Sequence, residues 1–579
     1  MDYKFEEQFQ CPPYDCLTHI YSQSFVDNFS LPALTDYTTG KTMSYGDMGR
    51  RIARLHLFFE LTGVKPGDKI ALLGRNTPNW VITFIATICY GAVIVPVLSE
   101  FNSTDAAQII NHSDAVMLFV SDGIFNGLDF ESMPALRAVI SLDSRTVIAE
   151  RPPLKTGTKR SPASHRGIVA ALTRNFRKRY PNGFRPTDIV YPRVSGEDLA
   201  VINYTSGTTG FSKGVMLTHD NLRGNVVFGI RSNLHFHGSR ALSFLPLAHA
   251  YGCAFDMLVP LAVGSHITLL GKTPTPVILL RALQQVRPSL IICVPLILEK
   301  IYRKVVVPLI TKKPIRWVLA VPGLDKAFYS LIRAKLVDAF GGNFEEIIVG
   351  GAPLNAEVEE FLHRIKFPFT VGYGMTECGP LISYSPWRRF VPGSAGRTLN
   401  GIMESNVVAD NTLPLVDGHP QGEIIVRGLN VMKGYYKNPD ATLATLDEDG
   451  WLHTGDMGWL SAPNNRTIHI RGRYKTMILS ANGQNIYPEE IESKLNNMPY
   501  VNECLVVDRN GSLFALCFPD ADEVSRDNLT KEMLEDAMEA NRISLNKLVA
   551  PYEQIRKIEI MEHEFEKTPK RSIRRFLYK

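Results

Sequence analysis

The segment Tyr204–Gly214, YTSGTTGFSKG, decides how this chain is interpreted. It follows the apolar run LAVIN and combines hydroxyl side chains with glycines before it ends in Lys213 and Gly214. A polyphosphate fits such a loop, because backbone N–H groups, hydroxyl donors and a cation can surround its oxygens. The GxxxxGK[ST] loop of the common nucleotide hydrolases is excluded, since Ser212 stands where that pattern has its second glycine. The segment therefore predicts a phosphate-binding loop of another type.

Further segments of possible chemical importance follow in the sequence. Residues 245–252 read LPLAHAYG, residues 350–353 read GGAP, and residues 372–377 read GYGMTE. Residues 451–456 read WLHTGD, and residues 471–492 read RGRYKTMILSANGQNIYPEEIE. Each short motif is compatible with an ordinary turn when taken alone. The complete set in this order makes coincidence a poor explanation.

In this order the segments resemble the adenylate-forming superfamily, which contains acyl-CoA synthetases, firefly luciferases and peptide-synthetase adenylation domains. The chain length and the extended segment 301–340 are most similar to the long-chain fatty acid:CoA ligases. The resemblance implies that a fatty acid and ATP react to give acyl-AMP and pyrophosphate. CoA, the co-substrate, then takes the acyl group and releases AMP, and Mg²⁺ assists at the phosphates.

The resemblance also implies the nucleotide-binding residues. Thr376 and Glu377 would face the phosphates, with Thr205 and Glu377 as candidate Mg²⁺ ligands, since oxygen donors suit that hard ion. GGAP would pack on the adenine, and Asp456 and Arg473 would bind the ribose. The full candidate set is Thr205, Ser206, Gly207, Thr208, Thr209, Gly210, Lys213, Gly351, Ala352, Pro353, Gly372, Tyr373, Gly374, Met375, Thr376, Asp456, Arg473 and, for CoA, Gly483.

Five residues are the catalytic candidates of the resemblance: His249, Thr376, Glu377, Lys475 and Lys570. A histidine beside apolar residues is often an ordinary core residue, but in this family pattern His249 faces the acyl carboxylate. Lys475 would be the hinge about which the small domain rotates. Gly483 would lie in the loop that lines the pantetheine channel after rotation.

The C-terminus departs from the family pattern. That pattern runs roughly TPxGKIxR, whereas this chain reads TPKRSIRR and has Ser572 at the position of the adenylation lysine. Lys570 or Arg571 is the candidate substitute, because a long side chain on a mobile loop can reach a site two residues away. A slow adenylation step is the alternative. A smaller departure is Thr476, which stands where an acid is usual.

The pattern of apolar runs predicts an α/β fold. Runs such as Lys69–Leu73 and Ala115–Val120 follow turns and alternate with helical stretches, which is typical of βαβ units with buried strands. Repeated βαβ units with mostly parallel sheets are expected to about residue 470. Pro488 with Glu489 and Glu490 predicts a helix start in a smaller α+β unit. We therefore expect an N-terminal adenylation domain over 1–474 and a mobile C-terminal domain, the lid, over 475–579.

Charge is distributed unevenly along the chain. The formal net charge is +5, but the basic insert 151–193 alone holds eleven Lys or Arg against Asp188. The stretch 300–335 holds nine Lys or Arg against Asp325. Such segments suit an anionic membrane surface, where fatty acids partition, although a solvated loop is the alternative for 151–185. Nucleic acid is not expected, because the aromatic interleaving of a single-strand binder is sparse.

The eight cysteines are dispersed, which predicts buried or free thiols in a reducing compartment. The N-terminus is acidic and polar, so we expect no leading signal or membrane anchor. We expect a cytoplasmic protein, with membrane association at the inner face left open. No oligomeric state is indicated. Two other functions in the superfamily remain open: an acyl-AMP ligase that loads a carrier protein, and a ligase for another carboxylic acid. Ser572 also permits a degenerate binding protein, against which the presence of Lys213, Glu377, Asp456 and Arg473 argues.

Overall fold

The computed structural model describes residues 14–151, 165–205, 212–310, 324–461, 466–479, 485–509, 511–568 and 573–578. Over these residues the predicted mixed α/β fold is confirmed. The helices are α1 Leu17–Asp27, α2 Tyr45–Thr62, α3 Pro78–Tyr90, α4 Ser103–His112, α5 Asp122–Phe125, α6 His165–Arg179, α7 His219–Arg231, α8 Ala250–Gly252, α9 Val259–Ala262, α10 Pro276–Val286, α11 Pro295–Ile301, α12 Val307–Ile310, α13 Leu324–Ala339, α14 Ala356–Arg364, α15 Pro439–Leu443, α16 Pro488–Leu495, α17 Ala521–Arg526 and α18 Lys531–Asn546.

The strands are β1 Pro32–Asp36, β2 Thr42–Ser44, β3 Lys69–Leu73, β4 Val93–Val97, β5 Ala115–Val120, β6 Ala138–Ser141, β7 Val147–Glu150, β8 Leu199–Thr205, β9 Lys213–Thr218, β10 Arg240–Ser243, β11 His266–Leu269, β12 Leu290–Cys293, β13 Glu346–Val349, β14 Phe369–Val371, β15 Tyr373–Gly374, β16 Leu381–Tyr384, β17 Arg397–Thr398, β18 Met403–Ala409, β19 Gln421–Gly428, β20 Gly434–Tyr435, β21 Leu452–Ser461, β22 Thr467–Arg473, β23 Ile478–Leu479, β24 Asn485–Ile486, β25 Val501–Arg509, β26 Ser512–Pro519 and β27 Ile555–Ile560.

An eight-stranded sheet of order β20-β9-β8-β4-β3-β5-β6-β7 carries the phosphate-loop motif. Strands β8, β4, β3, β5 and β6 run parallel to their neighbours, whereas β9, β20 and β7 are antiparallel additions. Strands β3 and β5 have the bounds that the apolar runs predicted. Helices cover both faces of such a sheet, so its central strands are apolar throughout rather than alternating.

Two smaller sheets stand beside it. Strands β10, β11 and β1 run parallel, with β2 antiparallel at the edge, and β12, β13 and β14 form a parallel three-stranded sheet. These sheets fit the predicted βαβ units.

The stretch from residue 373 to residue 473 departs from the expected parallel pattern. It forms a seven-stranded antiparallel sheet of order β15-β16-β17-β22-β21-β19-β18. Parallel neighbours need crossovers of a dozen or more residues, and the β18–β19 and β21–β22 connections are shorter than that. Short connections therefore produce hairpins here.

The C-terminal residues pack as a unit of their own. Helix α16 begins at Pro488, as predicted, and strands β25, β26 and β27 form a three-stranded sheet behind it. The buried apolar residues from Ile486 onward form clusters separate from the main core, which ends at Ile468. The domain boundary at residue 475 stays a prediction.

The remaining sequence expectations concern thiols and the basic insert. Within the described ranges all seven cysteines are free and buried, as expected. Helix α6 of the basic insert docks on α2, where Arg179 binds both carboxylate oxygens of Glu60 at 3.0 and 2.9 Å. Residues 152–164 of that insert and residues 311–323 of the second basic stretch lie outside the described residues. None of the helices that the structure describes is long and apolar enough to cross a membrane.

Candidate active site

The phosphate-loop motif connects the two strands of an antiparallel hairpin. Strand β8 ends at Thr205, strand β9 begins at Lys213, and these two residues are direct partners in the ladder. The predicted residues Ser206, Gly207, Thr208, Thr209 and Gly210 lie outside the described residues. The hairpin register brings the candidate hydroxyl and the candidate cation to the same end of the sheet.

Lys213, Tyr435 and Glu377 meet beside this hairpin. The Lys213 ammonium lies 4.6 Å from the centre of the Tyr435 ring, and the Tyr435 hydroxyl donates to Glu377 Oε1 at 2.8 Å. Burial and the Glu377 charge together raise the pKa of Tyr435, so its hydroxyl keeps the proton that it donates. One tyrosine thus holds a cation and a carboxylate next to the phosphate loop.

Tyr435 was missed by the sequence reasoning. It lies on β20, which pairs with β9 and places Tyr435 opposite Val215. The only signal was the aromatic pair Tyr435–Tyr436 directly after Gly434, far from the quoted motifs. Its importance depends on a strand pairing that spans more than two hundred residues, so local sequence does not reveal it.

A buried asparagine on α7 holds the turn that carries Glu377. Asn225 Nδ2 donates to the Cys378 carbonyl at 3.3 Å, and Asn225 Oδ1 accepts from the Leu381 N–H at 3.0 Å. The Met432 N–H donates to the Glu377 carbonyl at 2.8 Å. Because α7 follows the hairpin directly, these bonds tie the GYGMTE segment to the phosphate-loop motif.

The GYGMTE segment is itself tightly constrained. The Gly372 N–H donates to the Val349 carbonyl at 2.9 Å, which attaches the segment to strand β13. The Met375 N–H donates to the Pro380 carbonyl at 2.9 Å. A Cβ at Gly374 would lie 2.2 Å from that carbonyl oxygen, so the second glycine of the motif is sterically required.

Asp456, Tyr373 and Arg473 form a second polar cluster. The Tyr373 hydroxyl donates to Asp456 Oδ2 at 2.6 Å, and Arg473 Nε lies 3.0 Å from Asp456 Oδ1. Burial raises the pKa of Asp456, while Arg473 and Tyr373 oppose that rise. The two predicted ribose ligands are thus direct partners across β21 and β22.

The GGAP loop lies at the carboxyl end of β13. Gly351, Ala352 and Pro353 are exposed, as a platform for a ring would be. The Tyr251 hydroxyl donates to the Ile348 carbonyl at 2.9 Å, which fixes the Tyr251 ring beneath the loop. The carboxyl ends of parallel strands are the usual binding edge in α/β proteins.

His249 lies at the start of α8 and is half-buried. The segment that carries it is attached to the phosphate hairpin, because Asn203 Nδ2 of β8 donates to the Ala248 carbonyl at 3.2 Å. The candidate acyl contact and the candidate phosphate loop therefore belong to adjoining parts of one framework.

Comparison with known proteins identifies the family to which the chain belongs. The sequence profile described as AMP-binding enzyme matches residues 26–436, and the profile described as AMP-binding enzyme C-terminal domain matches residues 475–578. The chain belongs to the AMP-binding enzyme family. Peroxisomal long chain acyl-CoA synthetase 6 of Arabidopsis thaliana is 31% identical over 519 residues, covering 84% of this chain and 70% of that protein. Feruloyl-CoA synthase of an Amycolatopsis species is 30% identical over 478 residues, covering 81% of each chain.

A solved structure of similar fold is that of the anthranilate CoA ligase AuaEII in complex with anthranoyl-AMP. It superposes with a TM-score of 0.74 at 18% identity, covering 98% of this chain and 97% of that one. The profiles and the relatives support an adenylate-forming acyl-CoA ligase, and they differ in the acid that their names specify.

The lid of this AMP-binding enzyme contacts the rest of the chain through α16. Arg471 Nε lies 3.2 Å from Glu490 Oε1, Arg471 also donates to Gln421 Oε1 at 3.0 Å, and its guanidinium stacks 5.2 Å from the Tyr487 ring centre. The structure thus gives Arg471 partners in both domains. Lys475 is exposed in the turn Tyr474–Thr476, and Gly483, Lys570 and Ser572 lie outside the described residues.

Two further side chains reach α16 and the turn behind it. Asn355, which follows the GGAP loop, donates to the Ser493 carbonyl at 2.7 Å. Arg303 donates to the carbonyls of Asn496 and Val501. The lid therefore rests against the same loop that carries the candidate adenine platform.

Proposed function

We propose that the protein is an ATP-dependent ligase that converts a long-chain fatty acid to acyl-AMP and then to acyl-CoA. The observation that carries the proposal is that the GYGMTE segment contacts the phosphate hairpin through Glu377 and the candidate ribose ligands through Tyr373. Lys213 stacks on Tyr435, Tyr435 bonds Glu377, and four residues before Glu377 the Tyr373 hydroxyl bonds Asp456. Groups suited to phosphates and to a ribose thus stand side by side.

Adenylation overcomes the poor reactivity of a carboxylate, whose direct leaving group would be oxide. In the proposed reaction the acid oxygen attacks the α-phosphate of ATP, and pyrophosphate departs. Lys213, with the hydroxyl and N–H donors of its loop, would stabilise the charge that develops on the phosphates. Asp456 and Arg473 would hold the ribose, so that the α-phosphate faces the acid.

The oxygen donors near the hairpin are suited to Mg²⁺. Glu377 offers a carboxylate that Tyr435 orients, and Thr205 offers a hydroxyl. In the part of the chain that the structure describes, no cluster of three or more His, Cys, Asp or Glu side chains is placed to hold a metal on its own. We assign Thr205 and Glu377 to a Mg²⁺ ion on the strength of their oxygen donors, and such an ion would neutralise phosphate charge.

The acyl chain is proposed to lie behind His249. The segments 250–261 and 291–302 are largely apolar and mostly buried; the first follows strand β10, and the second begins in strand β12 and continues into helix α11. His249 would contact the carboxylate at the mouth of this region. The name of the Arabidopsis relative supports a long chain, whereas that of the Amycolatopsis relative supports an aromatic acid as the second candidate.

The second half-reaction is assigned to movement of the lid. With Lys475 as the hinge, rotation would bring Gly483 to line a channel for the pantetheine of CoA, whose thiol attacks acyl-AMP and releases AMP. Lys570 is proposed to serve adenylation in place of the lysine that Ser572 replaces. Delivery to a carrier protein instead of CoA remains the alternative within the family.

A peripheral contact with an anionic membrane is proposed for the basic insert. On α6, Arg174, Arg177 and Lys178 are exposed. Each basic side chain near such a surface contributes about 1 kcal/mol.

Product analysis tests the proposed function. The protein is incubated with ATP, Mg²⁺ and palmitate, with and without CoA, and AMP and acyl-CoA are quantified. We expect CoA-dependent formation of palmitoyl-CoA with one AMP per thioester. Absence of AMP with palmitate and with ferulate would refute the ligase assignment, and AMP formation without CoA consumption would favour a carrier-protein acceptor. An unchanged adenylation rate in Lys570→Ala would refute the role of Lys570.

A further inference from the structure

Asp256 is a carboxylic acid in the middle of the proposed acyl-binding region. It lies seven residues after His249, on the π-helical turn Cys253–Leu258 that continues α8. Only 3% of its surface is exposed. Isolated π-helical turns are rare in proteins and occur often at functional sites. The remaining residues of the turn are apolar or cysteine, so Asp256 is the exception in its sequence.

The carboxyl group of Asp256 lacks a partner. Its Oδ2 atom is fully enclosed and makes no hydrogen bond within the part of the chain that the structure describes. Burial raises the pKa of Asp256 well above its usual range, which favours the neutral, protonated form of the group. A neutral carboxyl both donates and accepts a hydrogen bond. Buried polar groups are nearly always paired, so an unpaired one requires an explanation, and a hydrogen-bonding ligand is one such explanation.

Two groups whose pKa depends on the charge of Asp256 lie on the two proposed acyl-binding segments. An Asp256 charge would raise the pKa of Tyr251 and of Cys293, which belong to segments 250–261 and 291–302. Tyr251 does not satisfy Asp256, because its hydroxyl donates to the Ile348 carbonyl at 2.9 Å. Asp256 therefore lies where the two segments meet, close to the strand end that carries GGAP.

We propose that Asp256 is a specificity-determining residue that hydrogen-bonds a hydroxyl group on the acyl chain. The inference rests on the proposed function and narrows its substrate class to hydroxylated long-chain acids. A hydroxyl matches a neutral carboxyl, since each group can donate one bond and accept one. An amino group on the acyl chain is the competing ligand. It would bind as an ammonium ion beside the Asp256 carboxylate, and the desolvation of both charges is costly in an apolar site.

The test compares palmitate with its mono-hydroxylated derivatives, with the hydroxyl moved along the chain. In the natural protein we expect kcat/KM for one positional isomer to exceed that for palmitate about ten- to hundredfold, as a site built for a hydroxyl discriminates. Asp256→Asn, which keeps a donor and an acceptor, should retain most of this preference. Asp256→Leu should lose it and should accept palmitate better. The control is Leu118→Met, a volume-conserving change at a buried position on β5, outside the two proposed acyl-binding segments.

Equal selectivity in the natural protein and in Asp256→Leu, at every hydroxyl position, would overturn the proposal and would indicate a structural role with a buried water. A preference for a fatty acid with an amino group on its chain over the hydroxylated fatty acids would overturn the proposal in favour of a charged ligand. Displacement of a fluorescent fatty acid, measured without ATP, compares the binding of the same acids even when no AMP forms, and it should show the same preferred isomer. Failure of the proposed function is thereby distinguished from failure of Asp256 to select a hydroxyl.

Discussion

Arg471 and Arg473 lie two residues apart on β22, yet they bind carboxylates in different parts of the molecule. Arg473 pairs with Asp456 on the neighbouring strand, and the Asp456 side chain is 6% exposed. Arg471 pairs with Glu490 on the lid helix α16, and the Glu490 side chain is 32% exposed. The first pair is fixed within one sheet, whereas the second joins two regions.

This difference fits a strand that serves a fixed site at one position and, on the proposed lid rotation, a changing contact at the other. Asp456 is buried although Arg473 is 61% exposed, and a buried carboxylate without its cation is destabilised, so we expect Asp456 to keep its partner during the proposed lid rotation. A half-exposed ion pair contributes about 1 kcal/mol or less, so the Arg471 contact can be exchanged for another at little cost. We therefore expect substitutions at Arg473 and Asp456 to lower the rate of acyl-AMP formation. Substitutions at Arg471 are expected to change the populations of the lid positions.

The largest effect is expected for Asp456→Asn. The change keeps the shape but removes the charge that orders Arg473 and accepts from Tyr373. Hydrogen bonds to a charged group contribute up to about 3 kcal/mol, and loss of that amount corresponds to about a hundredfold lower rate of AMP formation, measured with ATP and palmitate. The matched control is Glu404→Gln, which breaks an exposed pair with Arg427 in the same sheet and should change the rate less than twofold. Equal rates for both variants would contradict the assigned role of Asp456.

A smaller and different effect is expected for Arg471→Ala. The rate of acyl-AMP formation should stay within about twofold, while the thioester step should change about three- to tenfold, because 1 kcal/mol of lid contact is lost. Rapid-quench measurement of each half-reaction separates the two steps. Glu490→Gln, which removes only the charge from the other side, should change the same step in the same direction. A fall in ATP affinity in either variant would place Arg471 in the nucleotide site instead.

A weaker change is expected for Asn355→Asp. The aspartate keeps the oxygen that accepts from the Glu357 and Val358 N–H groups at the start of α14, but it loses the N–H donor to the Ser493 carbonyl. Since one neutral hydrogen bond contributes about 1 kcal/mol, the thioester step should shift about two- to fourfold in the direction seen for Arg471→Ala. An opposite shift would show that this contact favours another lid position.

Glu359, a buried residue of α14 whose carboxylate accepts from the Gly393 N–H, is expected to affect stability and not activity. Burial raises its pKa from 4.5 to about 7. Between these values the folded state holds the proton that the unfolded state releases, so the free energy of unfolding falls as the pH rises through this window. The total loss above pH 7 is about 3 kcal/mol at most.

Glu359→Gln keeps an acceptor for the Gly393 N–H and should flatten this dependence. Urea unfolding at pH 5 and pH 8 measures the pH dependence of the free energy of unfolding. From pH 5 to pH 8 this free energy should fall by up to about 3 kcal/mol more in the natural protein than in the variant. Glu360→Gln, at the neighbouring exposed position paired with Arg364, is the control and should behave as the natural protein does. A steeper pH dependence in Glu359→Gln would refute the assignment.

The sequence predicted those elements whose cause is local. Strands β3 and β5 follow from continuous apolar runs between turns, and α16 follows from Pro488 with acids in the first turn. The predicted ribose ligands Asp456 and Arg473 are paired in the structure. Each of these signals lies within a few residues of the feature that it predicts.

Pairing between distant segments was not predictable in the same way. Strand β17 pairs with β22 through Arg397 and Thr467, so the antiparallel sheet could not be anticipated from local patterns. Tyr435 reaches Glu377 for the same reason, and Arg471 reaches Glu490 only because the lid packs on β22. Asp256 Oδ2 is unpaired within the part of the chain that the structure describes, and this depends on residues distant in sequence that local patterns do not predict.

Exchange of labelled pyrophosphate into ATP, dependent on fatty acid, tests the central claim that nucleotide chemistry is fixed at Asp456 and Arg473 while Arg471 serves the lid. The exchange reports reversible acyl-AMP formation without CoA. We predict exchange in the natural protein with palmitate or a hydroxylated derivative, exchange within about twofold of that value in Arg471→Ala, and about a hundredfold less in Asp456→Asn. Equal loss of exchange in both variants would contradict the account.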